Sequence, residues 1–252
     1  MTKLGVGRIL APFLLIAFAN TAASQTVVVP NAFENTEAPS SNSIPLGTAL
    51  FCDNGIRYQQ VYADAELTES GLISAVRFRL DGSILDPLPS TVYGGTSISV
   101  STAANGPDTF SNTFADNTGA DVVEVFSGDL TLSAPGSAAA PKPFDVEIGF
   151  QTPFNYTGGD LLLDISINVC GNPGVFFDRG DDASLTRRIT ARDVDAASGN
   201  TGTGAGLVTQ FQFESSAPPQ AIPLFGKIPA GPVLLIALIL IFGFWIPRRP
   251  GG

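Results

Sequence analysis

Apolar and polar residues exchange places at every second position through most of this 252-residue chain. Val76, Phe78 and Leu80 alternate with Arg77 and Arg79, and Ile98 and Val100 with Ser97, Ser99 and Ser101. Leu130 and Leu132 flank Thr131, and Phe144, Val146, Ile148 and Phe150 alternate with Asp145, Glu147 and Gly149. Leu161, Leu163, Ile165, Ile167 and Val169 form the longest run; Leu207, Thr209, Phe211 and Phe213 share a face opposite Gln210, Gln212 and Glu214. A strand sends successive side chains to opposite faces, so each segment has one dry face and one mostly wet face. Shorter candidates lie at 26–29, 58–62, 122–126, 175–178 and 187–190.

Turn chemistry separates these runs: Asp81-Gly82, Tyr93-Gly94-Gly95, Asn105-Gly106-Pro107, Pro135-Gly136, Gly158-Gly159 and Gly171-Asn172-Pro173. Residues 197–206 are low in complexity and read as a mobile loop. The central segment carries no long 3.6-residue apolar period. About ten half-wet strands predict an all-β fold: two antiparallel sheets packed as a jelly-roll-like sandwich, with a closed barrel as the alternative.

The two ends are of another kind. Lys3 and Arg8, an apolar run from Ile9 to Ala19, and Ala22-Ala23-Ser24 read as a signal peptide over residues 1–24, cut between Ser24 and Gln25. Residues 25–50 read as an irregular lead-in, 51–216 as the sandwich domain and 217–227 as a linker with the motif Ile222-Pro223-Leu224. Residues 228–247 are apolar and long enough to span a bilayer, and 248–252 carry Arg248 and Arg249 as a basic stop on the cytoplasmic side. A permanent anchor and a lipid-anchor signal at Ser215-Ser216-Ala217 are the competing readings of this tail.

From Gln25 to Ile222 stand 23 acidic against 8 basic residues, a net charge of about −15. Such a surface repels nucleic acid and anionic lipid. Histidine is absent, which removes the commonest general base and transition-metal ligand. Cys52 and Cys170 both fall in the exported part, so one disulfide is expected there, with two free buried thiols as the alternative. Neither a catalytic motif nor a nucleotide-binding loop is present, and the reading is a non-enzyme without a cofactor. Paired carboxylates keep glycoside hydrolysis as a third possibility.

Two features carry weaker chemistry. Asp178-Arg179-Gly180-Asp181-Asp182 is the densest acidic cluster, and Asp178, Asp181 and Asp182 are its candidate calcium ligands; the competing reading is a solvated turn. Tyr58, Tyr62, Tyr93 and Tyr156 would stack on sugar rings if exposed, but tyrosines in strands are expected to fill the core.

Arg57-Tyr58-Gln59-Gln60-Val61-Tyr62 and Gly71-Leu72-Ile73-Ser74-Ala75-Val76-Arg77-Phe78-Arg79-Leu80-Asp81 resemble the early strands of an exported bacterial β-domain of the PEP-CTERM class. Phe126-Ser127-Gly128-Asp129-Leu130-Thr131-Leu132, Asp160-Leu161-Leu162-Leu163-Asp164 and Leu207-Val208-Thr209-Gln210-Phe211-Gln212-Phe213 extend the likeness. The tail is similar to the sorting signals of the same class, in which a short motif, a membrane helix and a basic cluster are recognised by an exosortase. Ile222-Pro223-Leu224 stands in the motif position without a Pro-Glu-Pro triplet, nearer the Ile-Pro-Thr-Leu variant. The resemblance implies an exported surface or matrix protein, held at the membrane and then processed, that accompanies exopolysaccharide or biofilm. A carbohydrate-binding module is the second expectation. Membrane, processing enzyme and polysaccharide are the partners implied.

Overall fold

A computed structural model of the chain describes residues 24–50, 52–201 and 204–214. Residues 1–23 of the leader, the sorting motif at Ile222, Pro223 and Leu224, the membrane segment and Arg248 and Arg249 lie outside the described residues, whereas Ser24 donates to the Phe213 carbonyl and Gln25 opens the first strand. Among the described residues no helix is long and apolar enough to cross a membrane.

Eleven strands stand among these residues: β1 (Gln25–Val29), β2 (Ser40–Asn42), β3 (Ile56–Tyr62), β4 (Gly71–Phe78), β5 (Leu88–Thr102), β6 (Val123–Ala134), β7 (Val146–Tyr156), β8 (Leu161–Val169), β9 (Phe177–Arg179), β10 (Thr186–Ala191) and β11 (Thr209–Phe213). One sheet runs β1-β11-β4-β7, the second β10-β3-β8-β5-β6, and β2 pairs with β9 alone. Every strand pair is antiparallel. The expected all-β architecture of two packed antiparallel sheets is therefore present. With β2, β9 and β10 set aside, eight strands remain. Counted along the chain, they stand in the order first, eighth, third, sixth in one sheet and second, seventh, fourth, fifth in the other.

The period-two runs build the interface between the sheets. Ile73, Val76, Phe78, Val146, Ile148, Phe211 and Phe213 come from one sheet, and Ile56, Tyr58, Ile98, Val100, Leu163, Ile165 and Ile167 from the other. Phe211 meets Tyr62 edge-on at 4.8 Å between ring centroids, across the gap. Burying a side chain of this size contributes roughly 1.5–3 kcal/mol, so this face dominates the stability of the domain. Val169, last in the longest run, is exposed.

Several outer faces are not wet. Val61, Leu162 and Ile189 point away from the core, yet they are buried under Phe110 and Phe114. Those two rings lie in the excursion between β5 and β6, which holds a 3-10 turn at Pro107–Thr109 and a short α-helix at Phe114–Asn117. On the other sheet, Val28 and Val208 are covered by Phe33, Ala38 and Phe144. The lead-in is thus part of the domain: it supplies edge strand β1, the short β2 and a cover for the outer face.

Two expected loops take other forms. Tyr93-Gly94-Gly95 does not end a strand but lies inside β5, where the ladder with β6 shifts register between Tyr93 and Thr96. Gly95 has φ +57°, a conformation that a side chain at this bulge would oppose. The described part of 197–206 is tied down. Ser198 bridges Thr113, Asn200 bridges Thr190 and Ala205 bridges Arg187, and just after the loop Leu207 bridges Arg179. The buried amide of Gln60 grips the backbone of Leu207 on both sides, donating to its carbonyl at 2.8 Å and accepting from its N–H at 2.8 Å. A glycine-rich composition permits mobility, but backbone groups that find partners hold the chain in place.

Candidate functional site

Cys52 and Cys170 form a disulfide with a Cα–Cα distance of 6.1 Å. The pairing of β3 with β8 explains why they meet. Ile56 lies opposite Ile167, and the two cysteines stand just beyond that end of the ladder, Cys52 in the segment before β3 and Cys170 directly after β8. In the chain-entropy picture a loop of this length contributes roughly 4–5 kcal/mol. The bond belongs to an oxidising, extracytoplasmic environment.

All four tyrosines are in the core, as expected of the strand reading, and none offers a stacking face to a sugar. Each hydroxyl keeps a partner: Tyr58 donates to Gln60 Oε1 at 2.5 Å, Tyr62 pairs with Thr209 Oγ1 at 2.9 Å, Tyr93 donates to the Leu46 carbonyl, and Tyr156 donates to the Gly159 carbonyl at 2.7 Å. Burial pushes the Tyr58 hydroxyl up to about 12 and raises the other three as well.

The expected calcium set is divided by the fold. Asp181 and Asp182 are exposed, and Asp182 accepts hydrogen bonds from the backbone and hydroxyl of Ser184. Asp178 points the other way and is fully buried in β9. Asp178 meets Glu37 from the lead-in and Asp81 from the turn after β4, each offering an oxygen within 4.8 Å of the others. The correction has a simple cause: neighbours along a strand and the turn after it face different ways, whereas the packing of β9 on the lead-in brings distant carboxylates together.

Arg79 completes this cluster. Its Nε donates to Asp178 Oδ2 at 2.6 Å, its Nη2 to the Thr36 carbonyl at 2.6 Å, and its guanidinium lies 5.0 Å over the Phe144 ring. Both side chains of the ion pair are 0% exposed. The Ala38 N–H also donates to Asp178 Oδ2, at 3.4 Å, and the Gly82 N–H to Glu37 Oε1, at 2.5 Å. Asp178 Oδ1 and Glu37 Oε2 are buried without a hydrogen-bond partner. Burial, with the Glu37 carboxyl beside it, pushes Asp178 up to about 7 against the opposing pull of Arg79.

A second feature lies on the outer face of the five-stranded sheet. A groove of about 180 Å³ runs between Arg57, Ser99, Ser101, Thr118 and Asp164. Arg57 and Asp164 pair at 2.9 Å, and the Arg57 guanidinium stacks 4.5 Å above Phe114. Gln59 adds a hydrogen bond to Asp164 at 2.7 Å. Val100, Val122 and Leu162 complete its lining, so polar and apolar groups share the groove, and strands β3, β8 and β5 floor it.

Sequence reasoning missed Glu37, Arg79 and Asp81, because no local pattern joins positions 37, 81 and 178. The one available signal was Arg79 itself, a cation between Phe78 and Leu80 in a segment poor in basic residues. No protein-family model and no curated protein matches this chain.

Proposed function

We propose that the chain is an exported, non-enzymatic component of the cell surface or extracellular matrix, delivered by its leader and processed at its C-terminal sorting signal. The Cys52–Cys170 disulfide carries this reading, because it is a bond of extracytoplasmic compartments. The strand order, first-eighth-third-sixth against second-seventh-fourth-fifth, supports a jelly roll of two interleaved Greek keys as the finer description. The acidic composition suits a soluble surface that avoids nucleic acid. Intact mass of the mature protein from its native host tests delivery and processing. A species beginning at Gln25 and ending near Pro223 is expected; one that still contains Arg249 would overturn the processing step.

A carbohydrate-binding module is the second reading, and the Arg57–Asp164 groove favours it. Paired charged and hydroxyl side chains on an open sheet face can hydrogen-bond the hydroxyls of a polysaccharide chain. With the four tyrosines buried, recognition there would be polar rather than by stacking. Glycan-array binding that is lost in Asp164→Ala would establish it. Hydrolysis has the weakest support: Asp178 has the raised carboxyl of a general acid, but its side chain is closed to a sugar.

A further inference from the structure

Glu37, Asp81 and Asp178 come from three separate parts of the chain: the lead-in, the turn after β4, and β9. Their carboxylate oxygens lie within 4.8 Å of one another. Oxygens bound to one calcium ion stand 2.3–2.6 Å from it, so ligands on opposite sides are separated by about 4.6–5.2 Å. The cluster therefore has the dimensions of a single coordination shell.

Acidic groups gather on many protein surfaces, but the orphaned oxygens of this group set it apart. Asp178 is fully buried and uses Oδ2 to accept from Arg79 and Ala38, while Oδ1 has no partner. Glu37 uses Oε1 to accept from the Gly82 N–H, while buried Oε2 has no partner. Each carboxylate is thus held by protein donors at one oxygen and leaves the other unmet. A buried acceptor without a donor costs about 1–3 kcal/mol, more when charged, and two carboxylates facing each other add repulsion.

Charge points the same way. Three carboxylates face one guanidinium, that of Arg79, so the fully ionised group carries two negative charges more than its cation offsets. A divalent cation brings the group to neutrality. All donors are oxygen, with neither imidazole nor thiolate among them, which selects a hard cation. Ligands supplied by two connecting segments and a short strand tolerate the irregular, wide shell of calcium better than the strict octahedron of magnesium.

We propose that Glu37, Asp81 and Asp178 bind a divalent cation of the calcium class, which fastens the lead-in to the β4 turn and to β9. Arg79 holds Asp178 in place and is not a ligand. The ion completes the cover over Val28 and Val208, so its effect is on stability.

Calcium chloride titrated calorimetrically into the full-length chain, stripped with chelator and held in detergent, tests this. One site per chain is expected, in the range of extracellular calcium modules. About 5 mM calcium should raise the melting temperature by about 5 °C or more. Glu37→Gln and Asp81→Asn should each abolish the heat and the shift, whereas exposed Asp182→Asn should change neither. Asp178→Asn is avoided, since it would strip buried Arg79 of its partner. Absence of heat and of any shift in the unaltered chain would overturn the site. So would a calcium response that survives in Glu37→Gln, or one that disappears in Asp182→Asn. A Glu37→Gln chain that melts higher than the unaltered one in chelator, with calcium inert on both, would assign the cluster to a shared proton instead.

Discussion

Arg77 and Arg79 are two residues apart, share a strand parity, and sit in opposite physical worlds. Arg77 faces solvent and meets Glu147 directly across the β4–β7 ladder, at 2.7 Å, with the two side chains 26% and 48% exposed. Arg79 lies one residue past the end of β4, is 0% exposed, and meets Asp178, which is also fully buried and 99 residues away. The first pair follows from strand register and is weakened by water. The second exists because the lead-in and Phe144 close over it, and it is surrounded by groups that cannot be resolvated. Charge pairs of similar length therefore have very different energetic roles.

The largest effect should come from breaking the inner pair. Arg79→Ala leaves Asp178 buried and uncompensated beside Glu37 and Asp81, and is expected to cost about 3–5 kcal/mol in urea unfolding without calcium. The double replacement Arg79→Met with Asp178→Leu removes both charges and should recover most of that loss. If Arg79→Ala costs no more than Arg77→Ala, burial does not distinguish the pairs.

An intermediate effect concerns the other buried polar groups. A tyrosine in the unfolded chain ionises near 10, whereas Tyr58 in the folded domain is held neutral up to about 12. The stability this provides is complete below pH 10 and is lost as pH rises from there towards 12, because only the unfolded chain releases its proton in that window. Tyrosinate absorbance should appear together with the loss of β-sheet circular dichroism. Ionisation of all four tyrosines while the sheets remain intact would contradict their burial.

The smallest effect belongs to the outer pair. Arg77→Ala should cost about 0.2–1 kcal/mol. In about 1 M salt, where screening acts within about 3 Å, that cost should vanish while the cost of Arg79→Ala persists. A cost for Arg77→Ala that is unchanged by salt would mean that its contacts, such as the one to Gln210, matter through packing rather than charge.

What was legible in the sequence follows the range of the interaction that made it so. Val76 and Phe78 in β4, Ile165 and Ile167 in β8, and Phe211 and Phe213 in β11 are buried as their alternation required, since parity is local and every second residue must share a face; Ile73 joins them out of parity, across an irregularity of the β4–β7 ladder. Asp81-Gly82, Gly158-Gly159 and Gly171-Asn172-Pro173 lie between strands as turn chemistry required. Tyr93-Gly94-Gly95 misled because glycine serves a bulge as readily as a turn. The outer-face covers Phe110 and Phe114 over β3 and Phe33 over the other sheet had no local signature, because a cover is a meeting of segments distant in sequence, and Phe144, grouped by parity with Val146 and Ile148, lies before β7 and covers the outer face instead. The candidate cation site was half visible. Asp178 was singled out, but its neighbours Asp181 and Asp182 were grouped with it by sequence distance, where the fold groups it with Glu37 and Asp81 by space.

By itself the sequence determined that this chain forms antiparallel strands with one apolar face each, and that Cys52 and Cys170 were the available pair for a disulfide. Period-two burial needs only neighbouring residues, and two cysteines permit one intramolecular bond. Only the tertiary structure decided which polar residues leave the water. Arg79, Gln60 and Asp178 are buried because remote segments close over them, and the free energy of a buried polar group depends on partners that no local pattern can name.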